Sequence, residues 1–317
     1  MLDAVFEVVR RDFQVAVELR LGEGERLSLL GESGAGKTTV LKTLAGLIPM
    51  RRGQIELGGR AISTGGRHVV APERRGVGLV SQTSALFPHL TVLENIAYAP
   101  GSRLAPARLL AERLGLSPLL DARPGALSEG ERRRVALARS LQAGCRLLCL
   151  DEPFSALDRP LGESLLELVL GELRQFPGCA ILVTHRLEEA QHFSDRLAVL
   201  HRGRLLQIGG AREVVLKPSS PEVARLVGYR GWLRRGGMVL GVHPELAAAE
   251  FPGGLALAAT VLSCHPQGAR FDLEMEAEGE WAGCFHMLGN EAATPGARLN
   301  VLLPSSPVFA EREAGSA

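Results

Sequence analysis

Residues Arg26–Leu30 form a short apolar-rich run that leads into the glycine loop 31–36. Behind it Val40, Leu41, Leu44 and Leu47 recur at helical spacing on one face. Gly76–Val80, Cys145–Leu150 and Ala180–Val183 are short apolar runs that end at polar residues. Such runs suit strands of a parallel sheet covered on both faces. Between them, Leu90–Tyr98, Pro106–Leu114 and Glu129–Leu141 carry helical patterns. The pattern predicts an α/β core with a helical insertion over about residues 84–143, the whole unit spanning 1–230.

The character changes near Pro218–Pro221 and again at Arg230–Gly237, where Gly, Pro and Arg cluster. Beyond that point the period is two. In Arg270–Glu276 every second residue is charged and the others are apolar, as in a half-buried strand. Leu255–Cys264, Glu280–Met287 and Arg298–Leu303 are its expected neighbours. Residues 236–317 therefore read as a small β-barrel or partial barrel, with the tail 311–317 frayed.

At 317 residues the chain is long for one domain and comfortable for two, and 46% apolar residues suffice for a core in each. The formal charge of +1 gives no support to bulk attraction for nucleic acid or anionic lipid. Five scattered cysteines show neither a C-x-x-C pair nor metal-ligand spacing, which points to a reducing compartment. No run reaches the ~18 consecutive apolar residues of a membrane span, and charges stand where a signal peptide would be apolar. Any role in transport is thus expected to act through a partner.

Gly31-Glu32-Ser33-Gly34-Ala35-Gly36-Lys37-Thr38 fits G-x-x-x-x-G-K-[ST], and it stands between a predicted strand and a predicted helix. Glycines there let backbone N–H groups turn inward around phosphate oxygens, and the following helix adds its positive dipole end. Lys37 supplies a point charge to the β and γ phosphates of ATP, and the Thr38 hydroxyl is placed to ligate Mg²⁺. Lys37 is one of only three lysines in the chain. The strand-like run 145–150 ends in Asp151 and Glu152. Asp151 is expected to hold Mg²⁺, and Glu152 to activate or orient the attacking water. An apolar run that meets a polar loop looks the same, so these carboxylates gain meaning from the motifs around them.

Those motifs carry a family resemblance. Leu127-Ser128-Glu129-Gly130-Glu131, with the arginine-rich helix behind it, resembles the signature of the ATP-binding-cassette (ABC) family. Ser155-Ala156-Leu157-Asp158 resembles its D-loop, Gln82 its Q-loop glutamine, and His185 its switch histidine, all in family order over residues 1–230. The resemblance implies a head-to-tail dimer of two copies, each ATP lying between one copy's P-loop (Gly31 to Thr39) and the other's signature. Ser128, Glu129, Gly130 and Glu131 would then act in trans. It also implies that Gln82 senses Mg²⁺ and γ-phosphate, that His185 supports Glu152, and that Asp158 links the two sites. An aromatic residue stacks on adenine in this family, for which Phe13 is the first choice and Phe6 the second.

Three departures stand out: Glu129 where the family usually has Gly, Ser81 where an aromatic often precedes Gln82, and Arg186 where Asp usually follows the switch histidine. Glu129 either faces solvent, where it favours the helix dipole, or faces the triphosphate, where it slows turnover. Arg132, Arg133, Arg134 and Arg139 read as the solvated face of the signature helix.

Residues 86–96 resemble the importer segment that contacts coupling helices of a membrane permease. The region from His243 resembles the small TOBE or OB-type barrel of importer ATPases for molybdate, sulfate, polyamines, ferric iron and sugars. The resemblance implies a peripheral subunit on the cytoplasmic face of the membrane, driving a permease fed by a solute-binding protein, with an oxyanion as first-choice cargo. A DNA-repair or translation ATPase would instead bring fused cassettes, a long coiled coil or a basic surface. A simple P-loop kinase would lack the signature and D-loop.

Overall fold

In a computed structural model the structure describes residues 1–10, 13–81, 83–99, 102–155, 157, 159–247, 254–304 and 307–310. The chain divides into two compact units, Met1–Ala211 and Arg212–Ala317. This division lies nearer the N-terminus than the ranges 1–230 and 236–317 read from the sequence.

The first unit is built on one mixed sheet. Its strands are β1 (Leu2–Arg10), β2 (Phe13–Leu21), β3 (Arg26–Leu30), β4 (Arg52–Leu57), β5 (Arg60–Thr64), β6 (Arg67–His68), β7 (Val77–Val80), β8 (Leu147–Asp151), β9 (Cys179–Thr184), β10 (Arg196–His201) and β11 (Arg204–Gly210). Their order is β6-β5-β4-β1-β2-β11-β10-β3-β9-β8-β7. The run β10-β3-β9-β8-β7 is parallel, whereas β6-β5-β4-β1-β2 pair antiparallel.

The central strands are buried on both faces, and period two sorts their side chains between two cores. Leu147, Cys149, Cys179, Ile181 and Val183 join the inward rows of β1 and β2 (Leu2, Ala4, Phe6, Val8; Val15, Val17, Leu19, Leu21). Leu148, Leu150, Ala180 and Leu182 face the helical side instead. There they meet α2 (Val92–Ile96), α3 (Leu104–Arg113), α4 (Glu129–Gln142) and α5 (Arg159–Leu173). The helical insertion expected over 84–143 thus packs on the sheet through α2, α3 and α4, with α2 shorter than Leu90–Tyr98.

Helix α1 (Lys37–Leu44) follows the glycine loop and buries Val40, Leu41 and Leu44. Leu47 departs from the sequence expectation: it is exposed, because Gly46 at φ 81 has already ended the helix. The buried guanidinium of Arg75 closes that end. It donates to Thr43 O (3.4 Å), Leu44 O (3.2 Å), Val70 O (3.0 Å) and Ser63 Oγ (2.8 Å), and pairs with His68 Nδ1 at 2.6 Å. A cation on the last carbonyls of a helix complements their partial negative charge. Helix α6 (Leu187–Phe193) completes this unit.

The boundary between the units falls after the first residue of α7 (Ala211–Leu216), and the second unit goes on with α8 (Pro221–Leu226). It continues with β12 (Trp232–Arg235), β13 (Met238–Gly241), α9 (Pro244–Ala247), β14 (Leu255–Gln267), β15 (Arg270–Ala277), β16 (Cys284–Gly289), β17 (Arg298–Leu303) and β18 (Val308–Ala310). Two antiparallel sheets, β12-β13-β18 and β16-β15-β14-β17, share one core that includes Leu233, Leu240, Val261, Leu273, Met275, Phe285 and Leu303. This is a small barrel-like arrangement. The alternation read at 270–276 holds, since Leu273 and Met275 point into that core. The strand expected at Glu280–Met287 starts later, at Cys284, after Gly283 at φ 139.

Candidate functional site

The parallel strands β3, β8 and β9 release their chains at one edge of the sheet, and the chemistry-bearing residues collect there. Loop 31–36 follows β3. Gly36 caps α1 at φ 104, and a Cβ on it would stand 2.8 Å from Val15 Cγ2 and 3.1 Å from Phe13 Cε1. Only glycine fits. The Phe13 ring therefore lies against the loop, partly buried. Phe6, the second choice for stacking on a base, is corrected: it is 2% exposed, inside the core, where no base can reach it. Glu32, Ser33, Gly34 and Thr38 are exposed, Ala35 is buried, and Thr39 is half-buried.

Lys37 is buried and turns back on its own loop. Its Nζ donates to Gly31 O (2.7 Å) and Glu32 O (2.9 Å) and stands 3.7 Å from Glu152 Oε1. Burial pulls its pKa below the usual lysine range, while Glu152 and Asp151 oppose that fall. Thr38 Oγ1 donates to Asp151 Oδ1 at 3.0 Å. Burial pushes the Asp151 carboxyl above its ordinary range, against the Thr38 hydrogen bond.

A hydroxyl and a buried carboxylate facing one another form a hard-oxygen pair of the kind Mg²⁺ takes. Among the described residues no group of three or more His, Cys, Asp or Glu could cage a metal. A cation here would take most of its coordination from phosphate and water, as Mg²⁺ does.

Glu152 has φ 48, in the left-handed region. Its amide donates to Val183 O at 3.0 Å, and its carbonyl accepts from Ser155 N (3.3 Å) and Ser155 Oγ (3.0 Å). Its Oε2 lies 3.6 Å from His185 Nδ1. His185, just beyond β9, is half exposed. The Arg186 beside it does not add free positive charge to the site: Nη1 donates to Glu189 Oε1 at 3.0 Å. Thr184 Oγ1 donates to the other Glu189 oxygen (2.6 Å) and accepts from Arg186 N (3.0 Å).

Ser128 caps α4. Its Oγ accepts from Glu131 N at 3.3 Å while Glu131 Oε2 accepts from Ser128 N at 2.7 Å, a reciprocal capping box. The Ser128 hydrogen bonds hold the Glu131 carboxyl below its usual range. Gly130 is buried. Glu129, 39% exposed, is paired with both Arg132 and Arg133, which the choice between solvent and triphosphate did not foresee. Its pKa is lowered, first by the Arg132 hydrogen bond and then by Arg133.

The four arginines of α4 overturn the solvated-face reading. Arg132 Nη1 donates to Leu127 O (2.6 Å), Arg133 Nη1 to Pro153 O (2.6 Å), Arg134 Nη1 to Leu114 O (3.2 Å) and Arg139 Nη2 to Ala85 O (3.0 Å). Arg133 is 3% exposed, and Arg139 lies 5.2 Å over the Phe87 ring. Helical spacing cannot say which loop faces an arginine. The one legible clue was Glu129, four residues before Arg133.

Asn95 was not singled out by the sequence either. It is fully buried; its Oδ1 accepts from Phe87 N (2.9 Å), and its Nδ2 donates to Phe87 O (3.1 Å), Leu90 O (3.2 Å) and Thr91 O (2.9 Å). Gln82 and Asp158 lie outside the described residues.

The family model described as "ABC transporter" matches residues 15–155. The molybdate/tungstate import ATP-binding protein of Pyrococcus horikoshii is 41% identical, over 69% of this chain and 64% of its own length. The sulfate/thiosulfate import ATP-binding protein of Chromobacterium violaceum is 36% identical, over 92% of this chain and 89% of its own. Among solved structures, a dimeric post-hydrolysis state of an ATP-binding cassette bound to ADP and Pi superposes with a TM-score of 0.58. It shares 25% identity, over 67% of this chain and 99% of that one.

Proposed function

The chain belongs to the ABC transporter family as an ATPase, and from that premise we propose that it energises import of a small oxyanion, molybdate or sulfate, through a separate membrane permease. The observation that carries the ATPase chemistry is the convergence of Lys37, Thr38, Asp151, Glu152 and His185 at the ends of three parallel strands. The cargo rests on relatives named for molybdate/tungstate and for sulfate/thiosulfate, two tetrahedral oxyanions. Importers of polyamine, iron or sugar are the competing assignments, and uptake assays with each solute separate them.

In the proposed cycle the N–H groups of loop 31–36 and the positive end of α1 receive the triphosphate, and Lys37 leaves its loop carbonyls for phosphate oxygens. Thr38 and Asp151 are the residues that would hold Mg²⁺, with Gln82; bound there, the ion offsets the charge of the phosphates. Glu152 orients a water for in-line attack on the γ-phosphorus and takes its proton as the bond to the bridging oxygen breaks. His185, beside Glu152, steadies that carboxylate and the γ-phosphate. Phe13 stacks on the adenine.

Ser128 and Gly130 at the start of α4 meet the γ-phosphate bound to the second copy, with Asp158 between the two sites. Loss of the γ-phosphate removes what bridges the copies, and the dimer loosens. The loop around Phe87 carries that motion to the permease, which a solute-binding protein supplies. Among the described residues no helix is long and apolar enough to cross a membrane. The protein would then work as a peripheral subunit at the cytoplasmic face.

Glu152→Gln tests the reading. It keeps the hydrogen-bonding shape and removes the base, so ATP binding survives, hydrolysis nearly stops, and light scattering detects an ATP-held dimer. Normal turnover, or a monomer in saturating ATP, refutes it. Stimulation by DNA or ribosomes instead of a permease would place the protein among non-transport cassettes.

A further inference from the structure

The turn that carries Glu152 is held by one bond within itself and by two that reach it from other elements. The Glu152 amide is held by β9, its carbonyl by Ser155, and the next carbonyl, of Pro153, by Arg133 Nη1 at 2.6 Å. A residue with φ 48 keeps that conformation only where its surroundings over-determine it. Arg133 is one of those surroundings, and it reaches the turn from a different element.

The other edge of the same guanidinium is also engaged. Arg133 Nε donates to Glu129 Oε1 at 3.1 Å, while the second Glu129 oxygen accepts from Arg132 at 2.8 and 3.3 Å. A guanidinium is a rigid planar fork, so a displacement of one acceptor is passed to the other. Arg133 is 3% exposed, which removes the slack that water would give. Glu129, at 39% exposure, sits in the segment 128–131 and is open at the surface. On the reading given above, that surface receives the γ-phosphate bound to the other copy. An incoming triphosphate repels a carboxylate and drives it onto its guanidinium partners.

We propose that Arg133 is a positioning residue for Glu152. The chain Glu129–Arg133–Pro153 O lets ATP clamped on one protomer's signature set the catalytic carboxylate of that same protomer, whose own nucleotide lies in the other site. The two sites of a dimer are thereby coupled through each chain. This inference rests on the shared-nucleotide reading of the preceding subsection.

Steady-state ATPase assays on the full chain test it. Arg133→Gln lowers kcat by about ten- to a hundredfold, the scale of a catalytic group displaced by up to an ångström. The KM for ATP stays within about twofold, since ground-state binding is untouched. The native protein shows a Hill coefficient above one, and both Arg133→Gln and Glu129→Gln lower it toward one. The double variant is no slower than Arg133→Gln alone, as expected of residues acting in series.

A native Hill coefficient of one, an unchanged coefficient in Glu129→Gln, or losses that multiply in the double variant would each overturn the proposal. Should Arg133→Gln fail to fold, Glu129→Gln decides, because its side chain is partly exposed and its replacement leaves the core intact. ATP-driven dimerisation of Glu152→Gln is measured alongside. If that variant stays monomeric, the shared-nucleotide reading fails. If it dimerises while Glu129→Gln keeps native cooperativity, only the present inference falls.

Discussion

Replacing Asn95 by alanine strips the loop 87–91 of its internal support. The side chain has two N–H hydrogens and one carbonyl oxygen, so its three carbonyl acceptors share two donors, and the Phe87 amide uses the oxygen. That amounts to three full-strength bonds, each worth about 1 kcal/mol net. Water can reach part of this half-exposed loop and offset some of the loss, so Asn95→Ala should cost about 2–3 kcal/mol. Asn95→Asp should cost more at neutral pH, because a buried carboxylate would then face three carbonyl oxygens and keep only the Phe87 N–H.

Urea unfolding of the full chain gives the order native, then Ala, then Asp. Hydrogen exchange at the Phe87 amide speeds up in both variants. Since this loop is the proposed permease contact, Asn95→Ala also loses permease-stimulated ATP turnover while unstimulated turnover persists. Native urea resistance in Asn95→Ala, or an Asp variant at least as stable as the Ala one, would refute the reasoning.

Two further outcomes are expected. Arg75→Leu removes the side-chain donor of the Leu44 and Val70 carbonyls and of Ser63, while the Thr43 carbonyl keeps the Gly46 amide, and should lower stability by about 3 kcal/mol, read as a fall in unfolding temperature. Arg75→Lys keeps the charge but not the fork, and should recover less than half of that loss. In the second unit, His243 is buried, with Nε2 on Val227 O at 3.1 Å and Nδ1 accepting from Glu245 N at 3.3 Å, which fixes the neutral ring. Burial holds its pKa below the ordinary histidine value. The unfolded chain therefore binds a proton near pH 6.5 that the folded chain refuses, so this contribution is complete above about 6.5 and shrinks as the pH falls toward the depressed value. Urea midpoints measured from about pH 5 to 8 should show that slope, and His243→Gln should flatten it; a slope unchanged in His243→Gln would exclude His243 as its source.

What the sequence made legible was the part governed by short-range rules. The glycines of loop 31–36 announce a tight turn because only they accept its backbone, and Gly36 at φ 104 is the instance. The alternation at 270–276 announces a sheet face because side chains on a strand must alternate. Arg75, Arg133 and Arg139 stayed hidden for the opposite reason: each earns its role from a loop brought near by the fold. Arg75 meets Thr43, which is 32 residues away, and Arg139 meets Ala85, which is 54 residues away. An arginine written on a helix looks the same whether water or a carbonyl stands opposite. The same blindness put Leu47 on a helical face, since the periodicity carried on past the turn at Gly46.

The position of Lys37 bears on how quickly this site can be emptied. With two of its three N–H groups already on the Gly31 and Glu32 carbonyls, the ammonium meets an arriving phosphate by swapping acceptors and is never bare. Departing product likewise leaves no stranded charge, because the two carbonyls stand ready to take the ammonium back. A machine that must shed ADP on every stroke gains from such a hand-over, since it flattens the well out of which spent nucleotide has to climb.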